Sequence, residues 1–177
     1  MANGEAIQVN QKRRQPFISR IQRNHGLEHA TLHILAQRYP KRSLAGHSDA
    51  GGFWILGDVP IEDVYESVEE GLQRLRDGEK HLAVHRNCGT NFVTSGVLAG
   101  LVAGISMLGA GQRTRDKLER LPFAMLLATL ALIFSQPLGM ALQERVTTSG
   151  EPGSLQVIEI AATRKGRMKA HRITTRY

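Results

Sequence analysis

Residues 92–111 read FVTSGVLAGLVAGISMLGAG, and residues 121–143 read LPFAMLLATLALIFSQPLGMALQ. Neither stretch carries a charged side chain, and the uncharged run around the first extends from Gly89 to Gln112. A helix needs roughly 20 apolar residues to cross about 30 Å of hydrocarbon. Each block has that length. Between them lies GQRTRDKLER (111–120), too short for a domain. The expected structure over 89–143 is therefore a two-helix transmembrane hairpin. The alternative is a buried hairpin in a soluble helical core. Two continuous uncharged runs argue against it in a chain of 177 residues.

Small residues give the expected packing. Gly96, Gly100 and Gly104 recur every fourth residue on the first span. That period lets helices approach closely in lipid, where packing rather than the hydrophobic effect drives association. Ala124, Ala128, Ser135 and Gly139 would supply a matching face on the second span. The same glycine face could instead serve a membrane-protein partner or a second copy of the chain. Orientation is set by opposing signals. Arg113, Arg115, Lys117 and Arg120 in the short loop pull it towards the cytoplasm by the positive-inside rule. The long N-terminal region has no apolar secretory segment and is easiest to leave in the cytoplasm. Both termini are expected there, in a multi-pass protein of a bacterial cytoplasmic membrane.

The rest of the chain is polar and basic. The formal net charge is +7 and the pI about 10.1. That balance fits an anionic partner, and with two spans in the chain the partner is the bilayer's anionic headgroups. Aromatic residues make up 5% of the chain, too few for a base-stacking surface, so nucleic acid is not expected. Cys88 is the lone cysteine, which excludes an internal disulfide and leaves a free thiol or a ligand.

Residues 1–16 have the composition of a disordered basic tail. From Phe17 to Tyr39 the apolar period is helical, and Asn24-His25-Gly26 marks an expected break that would start the strong helix near His25. Residues 41–60 read as loop and strand. Asp49-Ala50-Gly51-Gly52 supplies the turn, and Trp54 suits a headgroup position. Residues 61–77 form an amphipathic helix opened by Pro60, with Ile61, Val64, Val68, Leu72 and Leu75 as its stripe. After the hairpin, LQVIEIAA and MKAHRITT read as two strands about Thr163–Gly166. The overall expectation is an α+β membrane protein. It has a mostly helical metal-site region (17–88), the membrane hairpin (89–143) and a C-terminal strand pair (144–177).

The metal site is read from NHGLEHATLH (24–33), which holds three of the seven histidines. His25 and His29 share one helical face. His-x-x-Glu-His is the inverted zinc-hydrolase arrangement, in which two imidazoles hold zinc and the adjacent carboxylate serves as base. Glu28 is the catalytic candidate. His33 continues the row, but eight helical residues rise about 12 Å, so it reads as a residue that supports a ligand or as structural. HRNCGT (85–90) adds His85 and Cys88, a His-x-x-Cys pair placed just before the first span. His25, His29, His85 and Cys88 together make a tetrahedral zinc-ligand set. Mixed imidazole and thiolate donors favour zinc.

The pair HGLEHA and HRNCGTNF, followed at once by apolar spans, resembles an uncharacterised bacterial membrane family (YqhQ-like). Its members carry His-Gly-Ala-Glu-His-Lys and then His-Pro-Arg-Cys-Gly-Thr-Ser-Phe. Ala30 stands where that family has lysine, and Arg86-Asn87 replaces Pro-Arg. The resemblance implies that His25, Glu28, His29, His85 and Cys88 belong to one site, and implies no reaction. Three functions follow from the residues. One is a membrane-anchored zinc hydrolase, peptidase-like, with Glu28 as base; in it a glutamate of 61–77 (Glu66, Glu69 or Glu70) is an alternative ligand. Another is a scaffold or assembly factor with a closed structural zinc site. A third is a metal-free thiol site in which His25 or His85 activates Cys88.

Overall fold

The computed structural model describes residues 16–177. The expected disordered tail lies outside them, apart from Pro16. In chain order the elements are α1 (Phe17–Arg38), β1 (Ala45–Asp49), β2 (Gly52–Leu56), α2 (Ile61–Arg76), a 3₁₀ turn (Lys80–Ala83), α3 (Gly89–Ser106), α4 (Thr114–Leu142), a π turn (Gln143–Thr147), β3 (Gln156–Lys165) and β4 (Met168–Arg176).

The first helix ends where expected. Tyr39 precedes Pro40, and a residue before proline is driven out of the helical region. The expected break at Gly26 is absent, and α1 runs through it. Gly26 has a different cause. A Cβ there would lie 2.1 Å from the Ser149 carbonyl oxygen. The segment leaving α4 crosses α1 at that point, and the Ser149 N–H donates to the Gln22 carbonyl at 2.9 Å.

In α2 the predicted stripe is buried at Val64, Val68, Leu72 and Leu75. It meets Leu27, Ala30 and Leu35 of α1, Phe53 and Ile55 of β2, and Ile173 of β4 in one core. The sheet is larger than expected. Residues 45–56 form a full hairpin, and β2 pairs with β4, giving a four-stranded antiparallel sheet in the order β1-β2-β4-β3. A lone C-terminal strand pair would leave Ile173 uncovered. Joined through β2, it buries that face against the helices. Trp54, expected at lipid headgroups, lies on the other face of β2. The Lys165 ammonium and the Arg172 guanidinium stand 5.3 and 5.1 Å from its ring centroid.

Helices α3 and α4 are both long and apolar enough to cross a membrane. Their large side chains are not buried within the protein. α3 buries Asn91, and α4 buries Ala124, Ala131, Ser135 and Gly139. Phe92 (68%), Ile105 (64%) and Phe134 (71%) stand exposed. Most of the segment read as a charged loop is the first turns of α4, which begins at Thr114. There Arg115 pairs with Glu119 at 2.8 Å, and Arg120 donates to the Leu108 carbonyl at the end of α3 at 2.6 Å.

The small face expected on α4 is found, extended by Ala131, but its expected partner is not. Gly96, Gly100 and Gly104 point away from α4, with nothing within 4 Å of a Cβ built on any of them. One smooth surface is enough for close approach. Because α4 supplies it, α3 can turn Ser95, Leu98, Ala99 and Val102 inward, and the Ser95 and Ser135 hydroxyls meet at 2.5 Å.

Gly26→Ala is therefore expected to destabilise the protein by roughly 1–3 kcal/mol, the usual cost of overpacking, in chemical denaturation of the detergent-solubilised chain. A gain of about 1 kcal/mol, as for a glycine that merely weakens a helix, would contradict this account of the crossing.

Candidate metal centre

His25 and His29 lie on the face of α1 that meets two passing segments of backbone. The His29 Nδ1–H donates to the Ala83 carbonyl at 2.7 Å, and the His25 Nδ1–H donates to the Thr147 carbonyl at 2.9 Å. A carbonyl only accepts, so each neutral imidazole carries its proton on Nδ1 and leaves the Nε2 lone pair bare. That is how a protein prepares histidine to ligate a metal. Burial, reinforced by the neighbouring His25, pulls the His29 imidazole down to about 3.

Cys88 is placed by the start of α3, for which it is the N-terminal boundary residue. Its Sγ lies 3.4 Å from His25 Nε2. Donor atoms of His25, His29 and Cys88 all fall within 4.8 Å of one another. Ligands about 2.0–2.3 Å from a tetrahedral zinc stand about 3.5 Å apart, so the close pair already fits. The three residues are close enough, and of the right donor chemistry, to be able to hold a metal ion.

His85, the fourth predicted ligand, is not in that group. Its ring borders the same cavity, 5.7 Å from the His29 ring and 4.8 Å from that of His33. Its Nδ1 accepts the Asn87 N–H at 3.2 Å. His33 lies outside the donor group, and its Nε2–H donates to the Val84 carbonyl at 2.9 Å. Two of the three alternative carboxylates of α2 are engaged elsewhere: Glu66 and Glu70 hold Arg38, at 2.7 and 3.3 Å.

Glu28 lines the cavity, of about 320 Å³, beside the three donors. It is 4% exposed and lies outside the ligand group. Burial raises its pKa above the usual carboxylate range, opposed by a hydrogen bond donated by Ser48 and by the nearby His25. The carboxylate rests on the Cα of Gly46, where an added Cβ would fall 2.1 Å from Oε1. Sequence reasoning missed Gly46 and Ser48. The signal was a small residue and a hydroxyl two positions apart on a strand, which therefore share one face.

The loop carrying His85 and Cys88 is locked by two buried amides. Asn91 donates to the Arg86 carbonyl at 2.7 Å and accepts the Gln143 amide at 2.6 Å. Gln143 also accepts the His85 N–H at 3.0 Å. An added Cβ at Gly139 would fall 2.5 Å from Asn91 Oδ1, so the glycine makes room for the amide.

If Cys88 is a ligand and His85 is not, the cobalt-loaded protein should show a thiolate-to-metal charge-transfer band. Cys88→Ala should abolish it and His85→Ala should retain it. Loss of the band in both variants would put His85 in the ligand set.

A family model described as a domain of unknown function (DUF6391) matches residues 20–160. An uncharacterized protein of Picosynechococcus sp. is 36% identical over 139 residues, covering 73% of this chain and 66% of that protein. No solved structure matches. The family match takes in both halves of the candidate centre and both apolar helices, and on it the chain belongs to the DUF6391 family.

Proposed function

We propose that this chain is a membrane-anchored metalloprotein, and specifically a zinc-dependent hydrolase acting on peptide-like bonds at the membrane surface. What carries the proposal is the meeting of three metal donors and a buried carboxylate around one cavity. Three protein ligands leave a coordination position for water or substrate, the pattern of catalytic rather than structural zinc. Mixed imidazole and thiolate donors favour zinc. The likeness of HGLEHA and HRNCGTNF to the YqhQ-like family supports treating these residues as one site.

His25, His29 and Cys88 would hold the ion. Zinc, when bound, supplies a Lewis acid and lowers the pKa of water towards neutrality. Glu28 then takes the proton from the attacking water as the carbon–oxygen bond forms. It returns that proton to the leaving nitrogen as the carbon–nitrogen bond breaks. Ser48 and Gly46 hold the carboxylate in position. The bond from Ser48 keeps one oxygen occupied and leaves the other for the proton.

A second reading is a closed structural zinc site that includes His85 and serves a scaffold or assembly factor. It is favoured by the position of His85 on the same cavity wall. In either case the spans anchor the protein in a bacterial cytoplasmic membrane, with anionic headgroups as partners. The chain enters α3 and leaves α4 at adjoining points, through Asn91 and Gln143. Residues 16–88 and 144–177 therefore share one side, which we assign to the cytoplasm. The outward face of Gly96, Gly100 and Gly104 remains for a partner helix or a second copy.

Glu28→Gln separates the two readings. It should leave metal content unchanged and lower cleavage of a quenched fluorescent peptide pool by about 10²- to 10⁴-fold, the span of general base catalysis. Unchanged cleavage would remove Glu28 from the chemistry. No cleavage by the zinc-loaded wild type on any pool would favour the structural site.

A further inference from the structure

Part of the cavity wall is one continuous piece of chain. Leu44, Ala45, Gly46, His47 and Ser48 all line it. Successive side chains of a strand point to opposite faces, so a cavity lying on one face would meet alternate residues. Residues of both faces line it in succession, so the cavity reaches the edge of β1 as well as the Gly46–Ser48 face on which Glu28 rests. β1 is the outer strand of the sheet, paired on one side with β2. On its other side, among the described residues, Asn24 Nδ2 donates to the Asp49 carbonyl at 2.8 Å. No strand covers the rest. In an antiparallel strand alternate residues turn N–H and C=O outward. By that alternation two of residues 45–48 turn their backbone donors and acceptors outward, beside the cavity that holds Glu28 and Cys88.

We infer that β1 is the substrate-binding strand, and that the substrate is a polypeptide segment bound in extended form as a fifth strand along it. The inference rests on the metal-site proposal and adds the substrate class. A row of outward amides at strand spacing is matched by another peptide backbone, and strand addition supplies affinity through the main chain. A sugar or a lipid acyl chain offers no such row. Side chains flanking the bound bond meet Ile21 at one part of the cavity and Leu32 and Leu44 at another, so apolar neighbours are favoured. The cavity also borders Gly89 and Thr90, the first residues of α3. The bound segment would therefore lie beside the membrane helices.

The test uses hydroxamates, which seek the metal, on full-length cobalt-loaded protein in detergent, with binding read from the cobalt spectrum. Three probes are compared: acetohydroxamate, acetyl-Leu-Ala-hydroxamate, and the latter with both backbone amides N-methylated. Two main-chain hydrogen bonds should make the peptide bind about ten- to a hundredfold tighter than acetohydroxamate. N-methylation should remove most of that gain. Equal affinity of the peptide and acetohydroxamate would overturn strand addition while leaving the metal site standing. So would an N-methylated peptide that keeps the full advantage. If cobalt is not taken up, or acetohydroxamate leaves its spectrum unchanged, the open metal site falls and this inference falls with it.

Discussion

Two backbone carbonyls hold this structure together at its centre. That of Ala83 accepts from His29, and that of Thr147 accepts from His25. The first belongs to the chain just before it enters α3, the second to the chain just after it leaves α4. One face of α1 therefore clamps both ends of the apolar hairpin. The same two bonds fix the tautomer of each imidazole, and His25 Nε2 faces the Cys88 Sγ at 3.4 Å. Anchoring and ligand preparation are one act. Gly26 lies on the helix between the two histidines and lets the outgoing segment pass close enough for the clamp to form.

The hairpin is coupled to the site a second time, through Asn91 and Gln143. A buried amide without a partner costs about 1–3 kcal/mol, and these two satisfy one another and the loop that carries Cys88. The thiol is thus held by the apolar helices and the imidazoles by the polar region. A metal ion shared between them would bind the two parts of the fold to each other. It would also lie where the polar region meets the first turn of α3.

Much of this was legible in the chain. The uncharged runs marked the two apolar helices, the stripe from Val64 to Leu75 marked α2, and the four-residue spacing of His25 and His29 placed both on one face. These signals are local, and local periodicity survives folding. What could not be read depended on contacts distant in sequence. Gly26 looked like a helix break because its partner, Ser149, lies far along the chain. Gly96, Gly100 and Gly104 looked like the hairpin seam because period alone does not say which face a neighbour takes. The sheet was under-read because the pairing of β2 with β4 crosses the whole apolar hairpin. The four candidate ligands were read from spacing alone, and spacing does not say how far apart their rings stand; the fold gathers His25, His29 and Cys88 and leaves His85 on the wall of the same cavity.

The central claim is that α1 and the loop before α3 share one metal ion. It is tested most directly by the metal content of the full-length, detergent-purified protein, measured by mass spectrometry beside His29→Ala and Cys88→Ala. The account predicts about one zinc per chain in the wild type and almost none in either variant. A wild-type protein that stays free of metal when zinc is supplied would contradict it, as would one whose zinc survives both substitutions.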